Sequence, residues 1–347
     1  MRVFITGGVG FIASYIAEYY IKQDEDNQIY VVDSLYKDNF INKGKSKYYI
    51  KKYLEKYDNV TFINRDIRNE KEMYELLKIL QPEIIFHTAA QVTVTKSISD
   101  PYNDYNINTH ATVSLLESIR KLNINTTLIF CSTNKVYGDN VNKKEIIEKE
   151  NRYVYKDCNG ITEIDNIDNT IHTPYGASKL CADLYIQEYG HTYGLKTGIF
   201  RMSCIYGPRQ MGYEEHGWIT HLIISALRNQ TIKIFGNGKQ VRDILYVSDL
   251  VNAYDLFVKK VDQLGNKVYN IGGGMENNVS LLELIKILEN VLRRDIKYEF
   301  YTWRLADQKV YISDINKVSS ELDWKPIISP KNGIEKVIEY FRLFYNK

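Results

Sequence analysis

The sequence predicts an α/β fold, with a doubly wound parallel sheet and a smaller, mixed α/β lobe toward the C-terminus. Two observations lead to this fold class. Short β-branched runs alternate with amphipathic helical stretches through the first two hundred residues, and a glycine-rich turn directly follows the first run. After about residue 205, short strands and helices are mixed. Strand–helix alternation is typical of parallel sheets joined by right-handed crossovers.

The predicted sheet consists of short apolar runs that are typical of buried parallel strands. These strands are Val3–Thr6, Ile29–Asp33, Val60–Asp66, Ile84–Ala89, Thr127–Thr133 and Thr197–Met202. The amphipathic helices predicted between them are Ile12–Lys22, Lys71–Leu80, Thr112–Leu122 and Ser178–Tyr193. A later strand, Val268–Ile271, is expected to rejoin the same sheet.

The second lobe is predicted from the strands Ile232–Phe235 and Leu245–Val247 and from the helices Leu281–Leu292 and Ile334–Phe344. We therefore expect two lobes with interleaved chain. Residues 1–204 with about 242–273 form the first, and residues about 205–241 with 274–347 form the second. The polar stretch Asp139–Thr170 is expected to be a long loop over a ligand cleft, because long loops in compact domains are often functional.

Composition excludes several classes of function. The chain has 347 residues, of which 44% are apolar and 25% charged, as in ordinary globular proteins. Its net charge of +2 creates no global field toward nucleic acids or membranes. The basic run Lys43–Lys56 contains tyrosines, but a solvated helix or loop explains it better than a nucleic-acid patch. No window approaches the roughly 18 to 20 apolar residues of a membrane span.

Cysteine and histidine usage predicts a protein without disulfides or metals. The four cysteines are too widely spaced for a CxxC pair and too few for a disulfide scaffold, so a reducing, cytoplasmic compartment is expected. The chain runs from Met1 directly into the first predicted strand, and no signal peptide is expected. The histidines lack the clustering of metal ligands. The cysteines are Cys131, Cys158, Cys181 and Cys204.

The turn from Thr6 to Ala13 has the pattern of a dinucleotide-binding loop. Gly7 permits the tight turn, Gly10 allows the backbone to approach a pyrophosphate, and Ala13 takes the third small position, where helix packs on strand. The helix that opens at Phe11 and Ile12 presents free N–H groups and the positive end of its dipole to the phosphates. A purely structural turn is the less favoured alternative. The first lobe is therefore predicted to be a Rossmann domain.

Asp33 predicts which dinucleotide binds. It ends the second strand, about twenty residues beyond the glycine turn, where a carboxylate accepts hydrogen bonds from a ribose diol and repels a 2′-phosphate. NAD is therefore favoured over NADP, although Lys37 lies near enough to weaken this preference slightly. Further cofactor contacts are expected at the ends of the later strands. They are Ser34, Asp66, Ile67, Thr88, Ala89, Ala90, Ser132 and Met202.

The motif from Pro174 to Lys179 carries the candidate catalytic pair. Tyr175 and Lys179 are four residues apart at the start of a predicted helix, so they share one face. Half-ionising a tyrosine near pH 7 requires about 4 kcal/mol, since its ordinary pKa is near 10. An ammonium at roughly 4 Å in an effective dielectric of 20 supplies about that much. We expect Lys179, aided by the positive nicotinamide ring, to lower the pKa of Tyr175, which then acts as a general base toward a substrate hydroxyl. Lys179 is also expected to hold the nicotinamide ribose.

Ser132 and Thr133 end the fifth strand at its carboxyl edge, where ligands bind in open α/β sheets. Thr133 is expected to hydrogen-bond the oxygen on which Tyr175 acts. The alternative, that the hydroxyls merely cap the following turn, is open for Ser132 and less favoured for Thr133.

Together, these motifs resemble the extended short-chain dehydrogenase/reductases, also called the NAD-dependent epimerase/dehydratase family. The resemblance covers essentially the whole chain and implies an NAD-binding first lobe and a second lobe that binds a nucleotide sugar. It also implies that Asn108, in a helical stretch that could otherwise be plain surface, contacts the cofactor, and that the chain assembles as a homodimer or homotetramer. Substrate contacts implied or suggested by the resemblance are Gln91, Thr133, Asn134, Lys135, Cys204, Arg209, Gln210, Arg242, Arg304 and Asp307.

The residues after Thr133 narrow the chemistry. Dehydratases and decarboxylases of this family carry carboxylates there, whereas this chain has Asn134 and Lys135. That departure leaves epimerisation, or simple oxidation and reduction. The run Cys131–Asp139, together with Tyr206–Gln210 and Gly236–Asp243, resembles the members that epimerise C2 of a CDP-linked sugar.

Two departures and two rivals remain. Ala13 replaces the third glycine, and Met202–Cys204 replaces a histidine-serine-serine run, which leaves the particular sugar open. One rival function is epimerisation at C4 of a UDP- or GDP-sugar by the same residues. The other is a non-catalytic NAD-binding sensor on the same fold, against which the intact Thr133, Tyr175 and Lys179 argue.

Overall fold

The computed structural model describes residues 1–35, 45–304 and 307–345, with the side chains of 45–47 and 345 left aside. Lys37 and the first residues of the basic run lie outside this part of the chain. Most of the rest of that run forms a helix, Lys45–Leu54. No helix among the described residues combines the length and the apolar character that a membrane crossing requires.

The strands are numbered in chain order within the described residues. They are β1 (Arg2–Thr6), β2 (Gln28–Asp33), β3 (Val60–Asn64), β4 (Ile84–His87), β5 (Thr127–Thr133), β6 (Ile146–Glu148), β7 (Tyr153–Tyr155), β8 (Lys196–Met202), β9 (Cys204–Tyr206), β10 (Ile232–Phe235), β11 (Val241–Tyr246), β12 (Lys267–Ile271), β13 (Asn278–Ser280), β14 (Tyr298–Tyr301) and β15 (Val310–Tyr311).

The helices follow the same chain order. They are α1 (Phe11–Gln23), α2 (Lys45–Leu54), α3 (Glu70–Leu80), α4 (Val94–Ser99), α5 (Pro101–Tyr105), α6 (Ala111–Leu122), α7 (Thr173–Tyr193), α8 (Trp218–Leu227), α9 (Val247–Leu264), α10 (Leu281–Leu292), α11 (Asn316–Leu322) and α12 (Pro330–Tyr345). A single π-helical turn, Asn106–His110, joins α5 to α6, and a 3₁₀ segment, Asn134–Lys143, follows β5.

Within the described residues, the main sheet has seven strands in the order β12-β8-β5-β4-β1-β2-β3. β1 runs parallel to both of its neighbours, β2 and β4, and Val3 lies opposite Ile29 and Ile84. The strand order reverses between β1 and β4, which in a doubly wound sheet is where ligands bind, outside the carboxyl ends of the strands. The doubly wound α/β prediction is therefore confirmed, and β12 rejoins this sheet as expected.

The sheet forms where the sequence places continuous apolar runs, because its strands are covered by helices. Phe4, Ile85, Leu128 and Phe130 are buried from the strands, and Leu115 packs on them from α6. Such burial on both faces needs near-continuous hydrophobic strands.

Several predicted boundaries require correction. β3 ends at Asn64 and β4 at His87, each two residues before the predicted end, because their last predicted residues leave the ladder for the following loops. β11 begins at Val241 and α12 at Pro330, each four residues before the predicted start. α7 begins at Thr173, five residues before the predicted start. The stretch Asp139–Thr170 is not wholly irregular, because β6 and β7 form an antiparallel pair inside it.

The chain forms two compact units. The first contains Met1–Val136, Thr173–Arg201 and Val251–Tyr269, and the second contains Tyr137–His172, Met202–Leu250 and Asn270–Lys347. The interleaving thus exists, while residues 137–172 belong with the second unit. The division into NAD-binding and sugar-binding lobes stays a prediction.

The second unit is organised around the buried carboxylate of Asp243 on β11. It accepts hydrogen bonds from the backbone N–H groups of Gly274 and Ser313, each at 3.1 Å, and from the hydroxyl of Ser203. β11 pairs with β9, β13 and β15. A buried charge must be satisfied in this way, so Asp243 ties several segments of this unit together.

A buried ion pair fixes α7 in the first unit. Asp183 on α7 and Arg201 on β8 meet with Nε to Oδ2 at 3.0 Å and Nη2 to Oδ1 at 3.1 Å. The side chains of Arg201 and Asp183 are 4% and 0% exposed, respectively. Gln187 donates a further hydrogen bond to Oδ1 at 2.7 Å. The pair therefore holds the orientation of the helix that carries Tyr175 and Lys179.

Replacing Arg201 with methionine should lower the free energy of unfolding by about 3–5 kcal/mol, because it leaves a buried carboxylate without its cation. Urea unfolding followed by circular dichroism measures this loss. The control is Arg120→Met, which breaks an exposed pair with Glu117 on the surface of α6 and should leave the unfolding midpoint unchanged. An Arg201→Met midpoint equal to wild type would contradict the structural role of the pair.

Candidate active site

The glycine turn after β1 has the geometry of a phosphate cradle. Gly7 has φ +63°, and a Cβ added there would lie 2.7 Å from the Cα of Ala89. The N–H of Gly10 closes the turn by donating to the carbonyl of Gly7 at 2.8 Å. α1 begins directly after Gly10 with no side-chain cap hydrogen bond. An uncapped helix N-terminus behind a glycine turn is the arrangement that binds a pyrophosphate.

Asp33 lies beside this turn at the end of β2. Its carboxylate accepts from the N–H of Leu35 at 2.9 Å and from that of Val9 at 3.4 Å. The side chain is 7% exposed, so it is fixed close to the glycine turn. A positioned acceptor at this point suits a ribose diol. The residues present therefore fit NAD.

The ends of β1 and β4 are held together by hydroxyl groups. Thr88 Oγ1 donates to the carbonyl of Thr6 at 2.6 Å, and the N–H of Ala89 donates to Thr6 Oγ1 at 3.2 Å.

The other predicted cofactor residues lie in or after the first strands and helices. Asp66 is paired with Arg68 at 2.6 Å, which lowers the pKa of the Asp66 carboxyl. The remaining predicted cofactor positions are half-buried: Phe11, Ile12, Ser34, Ile67, Ala90 and Met202.

Tyr175 lies in the first turn of α7, and its N–H donates to Ser97 Oγ at 3.1 Å. Burial raises the pKa of the Tyr175 phenol to about 12, while a hydrogen bond with Thr133 opposes that rise. Thr133 ends β5 and is 8% exposed. The structure therefore brings Thr133 and Tyr175 together, as expected from the sequence.

Lys179 is nearly as buried as the core, at 3% exposed. Its Nζ lies 3.8 Å from the ring centroid of Phe130, so an aromatic face stabilises the ammonium. Burial lowers the pKa of Lys179 to about 8, and Cys131, Asp183 and Asp104 oppose this decrease.

The pKa of Tyr175 is raised because desolvation of the phenolate outweighs the favourable interactions. The expectation that Lys179, together with an oxidised nicotinamide, lowers this pKa stays a prediction. His87 is buried near Lys179, with its Nδ1 2.8 Å from Thr6 Oγ1 and its Nε2 2.9 Å from Thr112 Oγ1. Burial and the charge of Lys179 lower the pKa of His87 to about 3, so it adds no positive charge.

The two hydroxyls that end β5 have different protein partners, and their expected contacts with cofactor and substrate stay predictions. Ser132 Oγ donates to Asp183 Oδ2 at 2.7 Å and does not cap the following turn. Thr133 Oγ1 does cap it, accepting from the N–H of Lys135 at 3.3 Å, and it lies 3.4 Å from Asn134 Oδ1. Ser132 is therefore part of the buried Asp183–Arg201 ion pair.

Asn108 is not plain surface, since it is 1% exposed. Its Oδ1 accepts from the N–H of Gln91 at 2.9 Å, and its Nδ2 lies 3.1 Å from Ser178 Oγ. The Gln91 amide is also fully used. Its Nε2 donates to the carbonyl of Thr93 and to Asp104 Oδ1, both at 2.8 Å. The Gln91 side chain is thus bonded within its own unit, and its substrate contact stays a prediction.

In the second unit, three predicted substrate residues lie close in the chain. Cys204 Sγ is 3.2 Å from Trp218 Nε1. Arg209 has φ +68°, a left-handed backbone that is uncommon outside glycine. Gln210 is 5% exposed and donates to the carbonyl of Ile205 at 3.1 Å. Gln210 thus has a structural role inside this unit.

Arg242 and Asp307, both predicted to contact substrate, form an ion pair with each other at 2.8 Å. Arg304 is 41% exposed, with its guanidinium 4.0 Å from the ring centroid of Phe235. It also lies 3.6 Å from a carboxylate oxygen of Glu214. The unit therefore presents two anchored guanidinium groups of the kind that bind phosphates.

Asp104, Ser178 and Asp183 surround the candidate catalytic pair, and none of them is among the residues predicted from the sequence. A signal for two of them exists. Asp183 lies four residues after Lys179, and Asp104 four residues before Asn108, so helical spacing predicts shared faces. Their burial and partners, however, depend on contacts between distant segments.

The spacing of Tyr175 and Lys179 on a helix that follows the central strands, together with the glycine turn and Asp33, defines an NAD-dependent enzyme of the extended short-chain dehydrogenase/reductase class. The chain belongs to the NAD dependent epimerase/dehydratase family, whose model matches residues 3–272. This confirms the predicted family and cofactor.

The chain is similar to known epimerases over nearly its full length. CDP-paratose 2-epimerase of Salmonella typhi is 36% identical over 98% of this chain and 99% of that protein. A UDP-glucose 4-epimerase from Thermotoga maritima, solved with UDP-glucose, has a TM-score of 0.81 and 29% identity, covering 99% of this chain and 100% of that one. A UDP-glucuronic acid 4-epimerase from Bacillus cereus, solved with UDP-glucuronic acid and NAD, has a TM-score of 0.84 and 25% identity at the same coverage. These relatives are isomerases, as predicted for this chain.

Replacing Gly7 with alanine should abolish retention of NAD. The added Cβ would collide with the backbone of Ala89, and residue 7 has a left-handed backbone that alanine rarely adopts. The NAD content of the purified protein, measured by mass spectrometry, tests this. Gly194→Ala is the matched control, since Gly194 has φ +71° but an added Cβ meets no described atom within 4 Å. Equal NAD content in both variants would refute the assignment of the turn.

Proposed function

We propose that the protein is an epimerase of a nucleotide sugar that inverts C2 of a CDP-linked sugar, as in the CDP-paratose 2-epimerase type. The coarser statement, membership of the NAD-dependent epimerase/dehydratase family, is established above. Support for the finer statement is the 36% identity to CDP-paratose 2-epimerase over the whole chain.

One observation carries the choice of epimerisation. Thr133 and Tyr175 share a hydrogen bond beside the buried Lys179, while Asn134 and Lys135 occupy the positions at which the dehydratases and decarboxylases have carboxylates. Asn134 is 7% exposed and is neutral at every pH. Elimination of water needs an acid and a base beside the sugar. This arrangement supplies one acid–base residue, Tyr175, for one hydroxyl. It does not supply the separate acid and base that elimination needs.

NAD, held by Gly7, Gly10 and Asp33, would supply the hydride acceptor and donor for reversible oxidation of one sugar carbon. The chain's own residues handle the proton. Tyr175 takes the hydroxyl proton as the 2-keto sugar forms and returns it after the sugar has presented its opposite face. Thr133 orients the reacting oxygen, and the ammonium of Lys179 stabilises the phenolate.

We further propose that residues of the second unit bind the nucleotide portion. Arg242 and Arg304 are candidates for the diphosphate, because guanidinium groups match phosphate oxygens in pairs. Asp307 holds Arg242 at 2.8 Å and pre-orients it. Arg209 and Cys204 are candidates for sugar contacts, together with Asn134 and Lys135 of the first unit.

The runner-up is epimerisation at C4 of a UDP- or GDP-sugar. It is supported by the two solved 4-epimerases, which share the fold over the full chain. The same Tyr175, Thr133 and Lys179 serve either reaction, because the orientation of the sugar decides which carbon is oxidised. The homodimer or homotetramer expected from the resemblance and a cytoplasmic location belong to the same proposal. Sedimentation velocity measures the assembly.

Tyr175→Phe should reduce turnover by about 10²–10⁴-fold, the usual contribution of a positioned acid–base group, and should retain bound NAD. Steady-state kinetics and cofactor content measure the two effects. Tyr185→Phe is the matched control, because Tyr185 lies on the same helix and is 45% exposed. Near-wild-type turnover of Tyr175→Phe would exclude Tyr175 as the acid–base residue.

Incubation with CDP-, UDP- and GDP-sugars, followed by NMR of the products, should show inversion at C2 of a CDP-sugar. Deuterium at C2 of the substrate should then slow turnover through a primary isotope effect, whereas deuterium at C4 should not. The reverse pattern would establish the 4-epimerase. NAD-loaded protein that alters none of these substrates would favour the sensor.

A further inference from the structure

Asp104 is a buried carboxylate that the proposed reaction does not use. It lies on α5 and is 1% exposed. Three side chains donate to it: Gln91 Nε2 at 2.8 Å and Asn108 Nδ2 at 3.2 Å to one oxygen, and Ser178 Oγ at 2.5 Å to the other. These partners come from the loop after β4, the π-helical turn and α7.

The surroundings of Asp104 favour its ionised form. Two N–H groups, which can only donate, reach Oδ1, and the Ser178 hydroxyl, which also lies 3.1 Å from the carbonyl of Tyr175, reaches Oδ2. Burial raises the pKa of Asp104, and the hydrogen bonds from Ser178 and Gln91, followed by the charge of Lys179, oppose that rise. The network therefore stabilises a negative charge inside the first unit.

The same network holds the first two turns of α7. Ser178 Oγ bonds to Asp104, and Thr109 Oγ1 donates to the carbonyl of Ser178 at 2.9 Å. Ser178 stands three residues after Tyr175 and directly before Lys179. Displacing Ser178 would move both candidate catalytic side chains.

Gln91 is fixed in the orientation that serves this network. Its Oε1 accepts from the N–H of Thr93 at 2.7 Å and from Thr93 Oγ1 at 2.8 Å. With the carbonyl oxygen used by Thr93, the amide nitrogen must face Asp104. Gln91 thus acts on the site through Asp104.

We infer that Asp104 is a positioning residue: held as a carboxylate by Gln91, Asn108 and Ser178, it fixes the first two turns of α7 and places a negative charge near Tyr175 and Lys179. This inference rests on the proposed function only for the catalytic roles of those two residues.

The charge has a definite consequence for Lys179. Asp183 on α7 and Asp104 favour the ammonium, while burial disfavours it. Cys131 on β5 also interacts with Lys179, but burial raises the pKa of its thiol to about 11, so it is neutral near pH 7. His87 on β4 also interacts with Lys179 and is neutral. Asp104 raises the pKa of Tyr175 as well. Asp104 therefore favours the ammonium form of Lys179 and makes the phenol of Tyr175 less acidic.

The test measures ionisation of Lys179 directly, in protein labelled with [13Cε]lysine and titrated by NMR. Lys179→Met assigns the resonance, which should titrate near pH 8 in the wild type, well apart from ordinary lysines. Asp104→Asn should lower this midpoint by roughly one pH unit, the lower end of what a nearby opposite charge produces. Asp255→Asn is the matched control, since Asp255 is a buried carboxylate of the same unit bonded to Tyr19 and Tyr20. An unshifted Lys179 midpoint in folded Asp104→Asn would overturn the inference.

A second variant covers a failure of Asp104→Asn to fold. Ser178→Ala removes the hydrogen bond that most opposes protonation of Asp104, and with it the contact of Asp104 with α7. The Lys179 midpoint should therefore fall, by less than in Asp104→Asn, and turnover should fall at least tenfold. Ser118→Ala, which removes a buried hydroxyl bonded within α6, should leave both unchanged. Wild-type turnover of Ser178→Ala would refute the positioning role.

The two proposals can fail separately. The NMR titration needs no substrate, so a shifted midpoint supports the placement of Asp104 even if no CDP-sugar is epimerised. Conversely, epimerisation that depends on Tyr175, together with an unshifted Lys179 in Asp104→Asn, would leave the proposed function intact and refute the inference.

Discussion

The structure of the first unit depends on burying one ammonium group at the carboxyl end of β5. Lys179 is 3% exposed, and a charge so far from water must be compensated within the protein. Asp104 and Asp183 provide the negative charges, and the face of Phe130 provides a further contact at 3.8 Å. Arg201 in turn balances Asp183. The polar interior of this unit is therefore arranged around Lys179.

This arrangement gives several polar residues a structural role that the sequence analysis did not predict. Gln91 and Ser132 stand at strand ends where substrate or cofactor contacts are common, and both also bond to buried carboxylates. Gln91 bonds to Asp104, and Ser132 bonds to Asp183. Both residues therefore help to position the carboxylates around Lys179.

The pKa values of Tyr175 and Lys179 also constrain how the proposed reaction can proceed. The phenol of Tyr175 has a raised pKa, and that of Lys179 is lowered to about 8, both through burial. A general base is effective when its pKa lies near the working pH. The positive charge of an oxidised nicotinamide is of the sign that lowers the pKa of a phenol, which makes cofactor binding and base strength interdependent in the proposed mechanism.

The sequence by itself determined the doubly wound sheet, the glycine turn, Asp33 and the Tyr175–Lys179 pair, because periodicity and short motifs are local properties of the chain. Strand ends were predicted less well at β3 and β4, where the chain leaves the ladder for loops. Tertiary structure alone decided that Asp104 is buried as a carboxylate and that Arg242 pairs with Asp307, since the partners that decide each case lie far apart in the chain. Burial and pairing depend on which distant segments meet, and that information is absent from any local pattern.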